Sequence, residues 1–319
     1  MPTRRMILQA GALLGTAIGT ARAAVYPDHT VRVIVPYPPG GSTDITARLV
    51  GEKVAAELKQ RFLIDNRPGA GGNLGMDAAA HAKPDGYTLA VNTTAHAINM
   101  TLFTSMPFDT LKSFVPIALL TENPLILVVN PALPVKTVPE LIALARTKPL
   151  HYASSGNGQS THLAAELFAS MAGIKMIHVP YRGSAPAIQD VMAGQVEMIF
   201  DSSQSCLPHI EEKAVRALGV TSQTLMTQLP EVPPIGDTLP GYEAIAWNGL
   251  VAPAGTPDDV VAKLNASVLH ALAEPELIRR FADLGATTHA TTPREFGDYV
   301  SAQIVKWGAV VRQSGAKVD

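Results

Sequence analysis

Apolar positions along the chain fall into short β-branched runs, each followed by a stripe at helical spacing. Val31–Val35 is the clearest case: four of five residues are Val or Ile, which reads as a buried strand. Pro36, Pro38, Pro39, Gly40 and Gly41 stop it, and apolar residues resume with helical period over 45–58. The same strand, small-residue turn and helix order recurs. Strands are expected over 61–66, 88–91, 114–120, 125–130, 151–153, 176–179, 196–200 and 215–221, with an extended segment over 242–251. Helices are expected over 162–172 and after Ser184, with capping boxes at Thr137-Val138-Pro139-Glu140 and Thr292-Pro293-Arg294-Glu295. Leu264, Val268 and Leu272, and later Phe296, Tyr299, Val300, Ile304 and Trp307, form core-facing helical stripes, and Gly315 ends the last helix. The alternation defines an α/β protein.

The first 23 residues break this pattern. They carry Arg4, Arg5 and Arg22, no acid, an apolar middle and an Ala21-Arg22-Ala23 end, which is the form of a secretory leader. Thr3-Arg4-Arg5-Met6-Ile7-Leu8 also approximates a twin-arginine signal, and a retained anchor is the competing reading, though the segment is short and glycine-broken for a span. Without this segment 22 basic residues face 27 acids, a net charge of −5. Such a balance gives no footing for nucleic acid or an anionic membrane. Cys206 is the only cysteine, so no internal disulfide forms, and Cys206 with His209 is too few ligands for structural zinc. The remaining 296 residues exceed the usual size of a single core, so two lobes are expected. Pro-rich punctuation over 123–134 marks one crossing between them, and 242–251 the return.

Candidate chemistry lies in the turns. The turn through Pro39, Gly40, Gly41, Ser42, Thr43 and Asp44 leaves backbone N–H groups unpaired at a helix N-terminus, a place for a small anion, and holds no Lys or Arg. A tight turn capped by Ser42 or Thr43 is the plainer reading. A second such turn runs through Ser154, Ser155, Gly156, Asn157, Gly158, Gln159 and Ser160, again without a cation. Thr93, Thr94 and His96 follow one strand, and Asp201 and Ser202 another. Polar residues at the carboxyl ends of strands in an open α/β sheet face the ligand crevice. His96 reads as a ligand contact or a helix cap, Ser184 as a cap, Arg182 as an anion contact or a surface residue, and Trp247 as a pocket wall or a core aromatic. The run Gly69-Ala70-Gly71-Gly72-Asn73-Leu74 fails the dinucleotide fingerprint at Leu74, and no P-loop lysine follows. Ser154 and Ser155 lack the G-x-S-x-G flanks of a hydrolase elbow, and no paired acid is evident for His162. Two donor-lined turns without an activated nucleophile describe a binder, with no metal or cofactor expected.

Six segments together carry a family resemblance. They are Pro38-Pro39-Gly40-Gly41-Ser42-Thr43-Asp44, Asn66-Arg67-Pro68-Gly69-Ala70-Gly71-Gly72, Pro84-Asp85-Gly86-Tyr87-Thr88-Leu89, Tyr152-Ala153-Ser154-Ser155-Gly156, His178-Val179-Pro180-Tyr181-Arg182-Gly183 and Ala252-Pro253-Ala254-Gly255-Thr256-Pro257. In order and over essentially the whole chain after the leader, they resemble the Bug proteins, periplasmic receptors of tripartite tricarboxylate transporters. The resemblance implies a type II periplasmic-binding-protein fold. Its two lobes, 24–124 with 246–319 and 125–245, would be joined by two crossing strands and close on a ligand. It also implies that the turns at Gly40–Asp44 and Ser154–Ser160 pin a carboxylate, partly through water, with His162, Asp201 and Ser202 among the candidate contacts. The implied partners are a small carboxylate and membrane permease subunits, and the protein would be a periplasmic monomer. Rival roles are a sensing subunit for a receptor kinase, or an exported hydrolase using His96 or His162.

Overall fold

The computed structural model describes residues 26–316 and residue 318, so the expected leader lies outside the described residues. The strands are β1 Val31–Val35, β2 Phe62–Asn66, β3 Thr88–Thr93, β4 Phe114–Val129, β5 Leu150–Ser154, β6 Met176–Pro180, β7 Met198–Ser202, β8 Arg216–Val220, β9 Ile245–Pro253 and β10 Thr287–Thr288. The α-helices are α1 Ser42–Leu58, α2 Asn73–Ala80, α3 Thr94–Leu102, α4 Val138–Thr147, α5 Ser160–Ala172, α6 Ser184–Met192, α7 Ser203–Glu211, α8 Asp258–Ala273, α9 Pro275–Asp283 and α10 Pro293–Ser314.

The strands run in the order β2-β1-β3-β9-β4-β7-β5-β6, with β8 and β10 pairing to β4. At each end lies a parallel triplet reached through helices, β2-β1-β3 on one side and β7-β5-β6 on the other. Between them β9 and β4 run antiparallel. Strand β4 changes partners along its length: Phe114 to Pro124 pair with Pro253 to Ile245 of β9, and Leu125 to Val129 pair with β7 and β8. The return passage enters β9 beside the same point, where Ala244 N–H donates to the Thr221 carbonyl at 3.1 Å.

Residues 114–120 and 125–130 read as two strands in the sequence, but the structure joins them into the single 16-residue strand β4. The bridging Thr121-Glu122-Asn123-Pro124 looks like a loop because it is polar. Its polar side chains find partners inside the sheet, however: the Asn123 and Asn248 amides both donate to Thr121 Oγ1, at 3.3 and 3.1 Å, with Thr121 and Asn123 fully buried and only the Asn123 Oδ1 left without a donor. Pro124, which cannot donate, sits opposite Ile245 at the end of β9.

Two-residue alternation distributes β4 among three cores. Leu125, Leu127 and Val129 enter one with Tyr152, Phe168, Phe200, Tyr242, Trp247, Phe296 and Trp307. Ile126 and Val128 enter a second with Ile188 and Ile199. Ile117, Ala118 and Leu120 enter a third with the valines of β1 and with α8. The long helix α10 opens with the expected Thr292/Glu295 capping box, ends at Gly315 in the left-handed region (φ 69°), and packs on α3, β4 and α5. Among the described residues no helix is long and apolar enough to cross a membrane.

Candidate functional site

Four helices begin at one cleft, and none of the four has a side-chain cap. These are α1 with Gly41 at its N-cap, α5 with Gln159, α6 with Gly183 and α7 with Ser202. The cleft is lined by the first residues of three of them: Ser42 and Thr43, Ser160 and Thr161, then Ser184, Ala185 and Pro186. Each start leaves N–H groups without intrahelical partners and adds partial positive charge. Tyr37, Pro38, Pro39, Gly41, Thr93, Thr94, Ala95, Leu125, Ser155, Gln159, Arg182, Gly183, Asp201, Ser202, Ala246, Trp247 and Asn248 complete the walls. The space between the walls, counted out to open solvent, is about 790 Å³. Arg182, an exposed residue, is the one cation among these lining residues.

The first turn is shaped by Asp44. Its Oδ2 accepts from Gly40 N–H and Arg48 Nε, both at 3.0 Å, and its Oδ1 accepts from Asn66 Nδ2 at 3.0 Å. Asn66 also donates to the Tyr37 carbonyl, which ties β2 to the turn. Burial pushes the Asp44 carboxyl upward, but Arg48, Gly40 and Asn66 outweigh it and hold the group below its ordinary value. Asp44 and Gly40 (φ 88°) therefore build the turn without lining the cleft. Ser42 and Thr43 are not caps: they are the first two residues of α1 and face the ligand space.

The second turn is built the same way. Ser155 N–H and Ser155 Oγ meet Thr161 Oγ1 at 3.0 and 2.9 Å, and Gly158 N–H donates to His162 Nδ1 at 3.2 Å. Ser154 Oγ lies 2.6 Å from His178 Nε2 and accepts from Gly156 N–H at 3.2 Å. A serine hydroxyl beside an imidazole is half of a nucleophilic pair, but Ser154 is fully buried and does not line the cleft. Gly158 (φ 74°) has no room for a Cβ, which would overlap the Asn99 amide of α3. Gln159 spans the lobes, its amide donating to the Gly71 carbonyl at 3.0 Å.

His96 is a cap. Thr93 N–H donates to its Nδ1 at 2.8 Å in a capping box at the start of α3, and the ring is fully buried outside the cleft wall. Thr93 Oγ1 meets Tyr37 OH at 2.8 Å, and Thr94 Oγ1 accepts from Trp247 N–H at 2.8 Å. Ser184 also departs from its expected role. It is the first residue of α6 behind Gly183, and its hydroxyl donates to Asp201 Oδ1 at 2.8 Å.

Of the eighteen residues singled out in the sequence, Pro39, Gly41, Ser42, Thr43, Thr93, Thr94, Ser155, Gln159, Ser160, Asp201 and Ser202 line this cleft. Gly40, Asp44, His96, Ser154, Gly158 and His162 stand behind it as scaffold. Gly156 lines a second opening, bounded by the 68–72 turn, Asn157 and Tyr181, which meets the first at Tyr37 and Gln159. A helix start at Ser184 is expected from the sequence, but the turn Pro180-Tyr181-Arg182-Gly183-Ser184 is not among the singled-out site residues, although it repeats the strand, glycine and helix signal of the other two turns. Leu125, Ala246 and Asn248 had no such signal, because strand crossings bring them in.

Three imidazoles surround this scaffold, His96 and His162 buried and His178 half-buried. His162 and His178 stack with centroids 4.0 Å apart, and Tyr152 stacks on His178. Burial lowers His96 to about 3; burial and then His178 lower His162 to about 3; burial lowers His178 to about 4. These values lie below the 6.5 of an exposed imidazole. Between the two limits the unfolded chain binds protons that the folded one refuses, so stability is full above about pH 6.5 and falls as pH drops toward 4. We expect Tm to decline over that window, and His162→Gln to flatten the decline. An unchanged slope in the variant would exclude His162 as a source.

Residues 46–316 match the family model described as the tripartite tricarboxylate transporter family receptor. BugT of Bordetella pertussis is 34% identical over 318 residues, covering 96% of this chain and 98% of that protein. Two solved structures from Rhodopseudomonas palustris are also similar. A protein solved with adipate has 34% identity and a TM-score of 0.88, covering 91% of this chain and 98% of its own. MatC, solved with bound malate, has 35% identity and a TM-score of 0.85, covering 90% and 100%. Among the described residues no group of three or more His, Cys, Asp or Glu is placed to hold a metal ion.

Proposed function

Because the chain belongs to the tripartite tricarboxylate transporter receptor family, we propose that it captures a small carboxylate between its lobes and delivers it to membrane permease subunits of that transporter class. It is a solute-binding receptor rather than an enzyme. The observation that carries the carboxylate reading is the meeting of four uncapped helix N-termini on one cleft. Such a cleft holds an anion with neutral N–H donors and needs no paired arginine. The relatives solved with adipate and with malate support the same ligand class. Residues 1–23 are the export leader, and the protein works in the periplasm.

The moving bodies are 24–124 with 246–319, and 125–245. The α1 start belongs to the first and the α5, α6 and α7 starts to the second, so an anion touching both favours the closed form by differential affinity. One bond across the gap, from the Gln159 amide to the Gly71 carbonyl, is placed to hold the mouth closed over an occupant. Native mass spectrometry of the protein as purified, then thermal shift against a panel of carboxylic acids, tests the proposal. A ligand at a hundredfold its Kd adds about 2.7 kcal/mol, which is a Tm rise of roughly 5 °C for a chain of this size. A panel in which no carboxylate is retained or stabilises would overturn the carboxylate reading.

A further inference from the structure

The four helix starts divide into two pairs. Asp201, at the end of β7, stands between one pair: its Oδ1 accepts from the Ser184 hydroxyl at the start of α6 and from Ser202 N–H at the cap of α7, both at 2.8 Å. No protein carboxylate that lines the cleft stands at the starts of α1 and α5, which leaves those two the better seat for a ligand carboxylate. Asp201 is fully buried, lines the cleft, and its second oxygen, Oδ2, has no partner in the protein. A buried carboxylate oxygen without a donor is costly, and sites of this kind are completed by what they bind.

The charge state follows from the surroundings. Burial raises the Asp201 carboxyl above its ordinary value, against the opposing pull of Ser184, Ser205, the Ser202 N–H and His209; what holds the anion is the geometry, two donors on Oδ1 at 2.8 Å. Two helix starts add to that side. An ionised Asp201 offers an acceptor only, and it disfavours a second ligand carboxylate placed against it. We infer that Asp201 selects, among small carboxylates, those carrying a hydrogen-bond donor (a hydroxyl or an ammonium) at the end away from the α1 and α5 starts, with Oδ2 as the acceptor. The inference rests on the carboxylate reading above and names the feature by which the cleft would choose among such ligands.

The test is isothermal titration with matched pairs that differ by the donor alone: succinate against malate and aspartate, adipate against 2-hydroxyadipate, and benzoate against 4-hydroxybenzoate. At least one donor-bearing member should bind about tenfold or more tighter than its plain partner. In Asp201→Asn, Ser184 and Ser202 hold the amide oxygen in the Oδ1 position, so an NH₂ faces the cleft where Oδ2 stood. The preference should then fall below about threefold, chiefly because the donor-bearing member weakens, while the plain partner loses no affinity and a plain dicarboxylate gains some as the opposing charge is removed. That ratio separates selection from support, because a purely structural Asp201 would weaken both members together. Equal affinities within every pair, or a preference that survives Asp201→Asn, overturns the inference and leaves the carboxylate reading standing. If no member of any pair binds, the carboxylate reading fails and the inference with it. Should Asp201→Asn not fold, the contrast within pairs for the unaltered protein decides.

Discussion

Gly41→Val should abolish carboxylate binding while leaving the melting temperature within a few degrees. Gly41 caps α1 in extended backbone (φ −81°, ψ 169°), a region that valine adopts readily, and a Cβ there meets nothing within 4 Å. The open space is the cleft itself, because Gly41 lines it. Three added carbons would therefore stand where a ligand oxygen approaches the N–H groups of Ser42 and Thr43. The fold loses only the difference between glycine and valine at an N-cap, on the order of 1 kcal/mol. Losing the charge-assisted hydrogen bonds at one of two anion-holding turns costs more, about 3 kcal/mol or a hundredfold in Kd. Calorimetry with any carboxylate that the unaltered protein binds gives the answer, and retained affinity would show that the α1 start does not hold the anion.

Gly249→Ala should act the other way, lowering stability first and affinity second. Gly249 lies in β9 between Asn92 of β3 and Leu119 of β4, and an added Cβ would overlap the fully buried ring of Phe296. The ring has little room to retreat, since it packs edge-on against Trp247 at 6.0 Å and 82°. Overpacking of this kind costs about 1–3 kcal/mol, only partly offset by the entropy advantage of alanine over glycine. Tm should fall by roughly 3–8 °C. Trp247 is a cleft wall, so the displaced ring also weakens binding. Shortening the obstacle with Phe296→Leu in the same chain should recover part of the loss, because residues in contact do not add independently. A double variant whose loss equals the sum of the two single losses would place the strain elsewhere.

Much of this was legible in the chain itself. The β-branched runs at Val31–Val35 and over 176–179, each stopped by Pro and Gly, mark strand ends unambiguously, and the turns after them hold the cleft residues Gly41, Ser42, Thr43 and Ser184. What could not be read is which side of a turn each residue faces. Asp44 and Ser42 lie two positions apart in one motif, yet one fastens the turn from behind while the other lines the cleft. The same holds for Ser154 and Ser155. His96 stands in the sequence between ligand contact and helix cap, and only the fold decides: an imidazole acceptor three residues after Thr93 closes a capping box as a glutamate would. Trp247, poised between wall and core in the sequence, is both: it is fully buried against Phe296 and Tyr299 and is among the residues that line the cleft.

Strand β4 has a consequence for how the protein comes apart. The β2-β1-β3 triplet continues through β9 into the first part of β4, and the last five residues of the same strand carry β7 and β8. Its side chains also enter all three hydrophobic clusters. One unbroken strand is thus an inner strand of both halves, so unravelling it in one loosens its pairing in the other. The chain is therefore expected to lose its structure in one cooperative step, even though the proposed function has two parts move against each other.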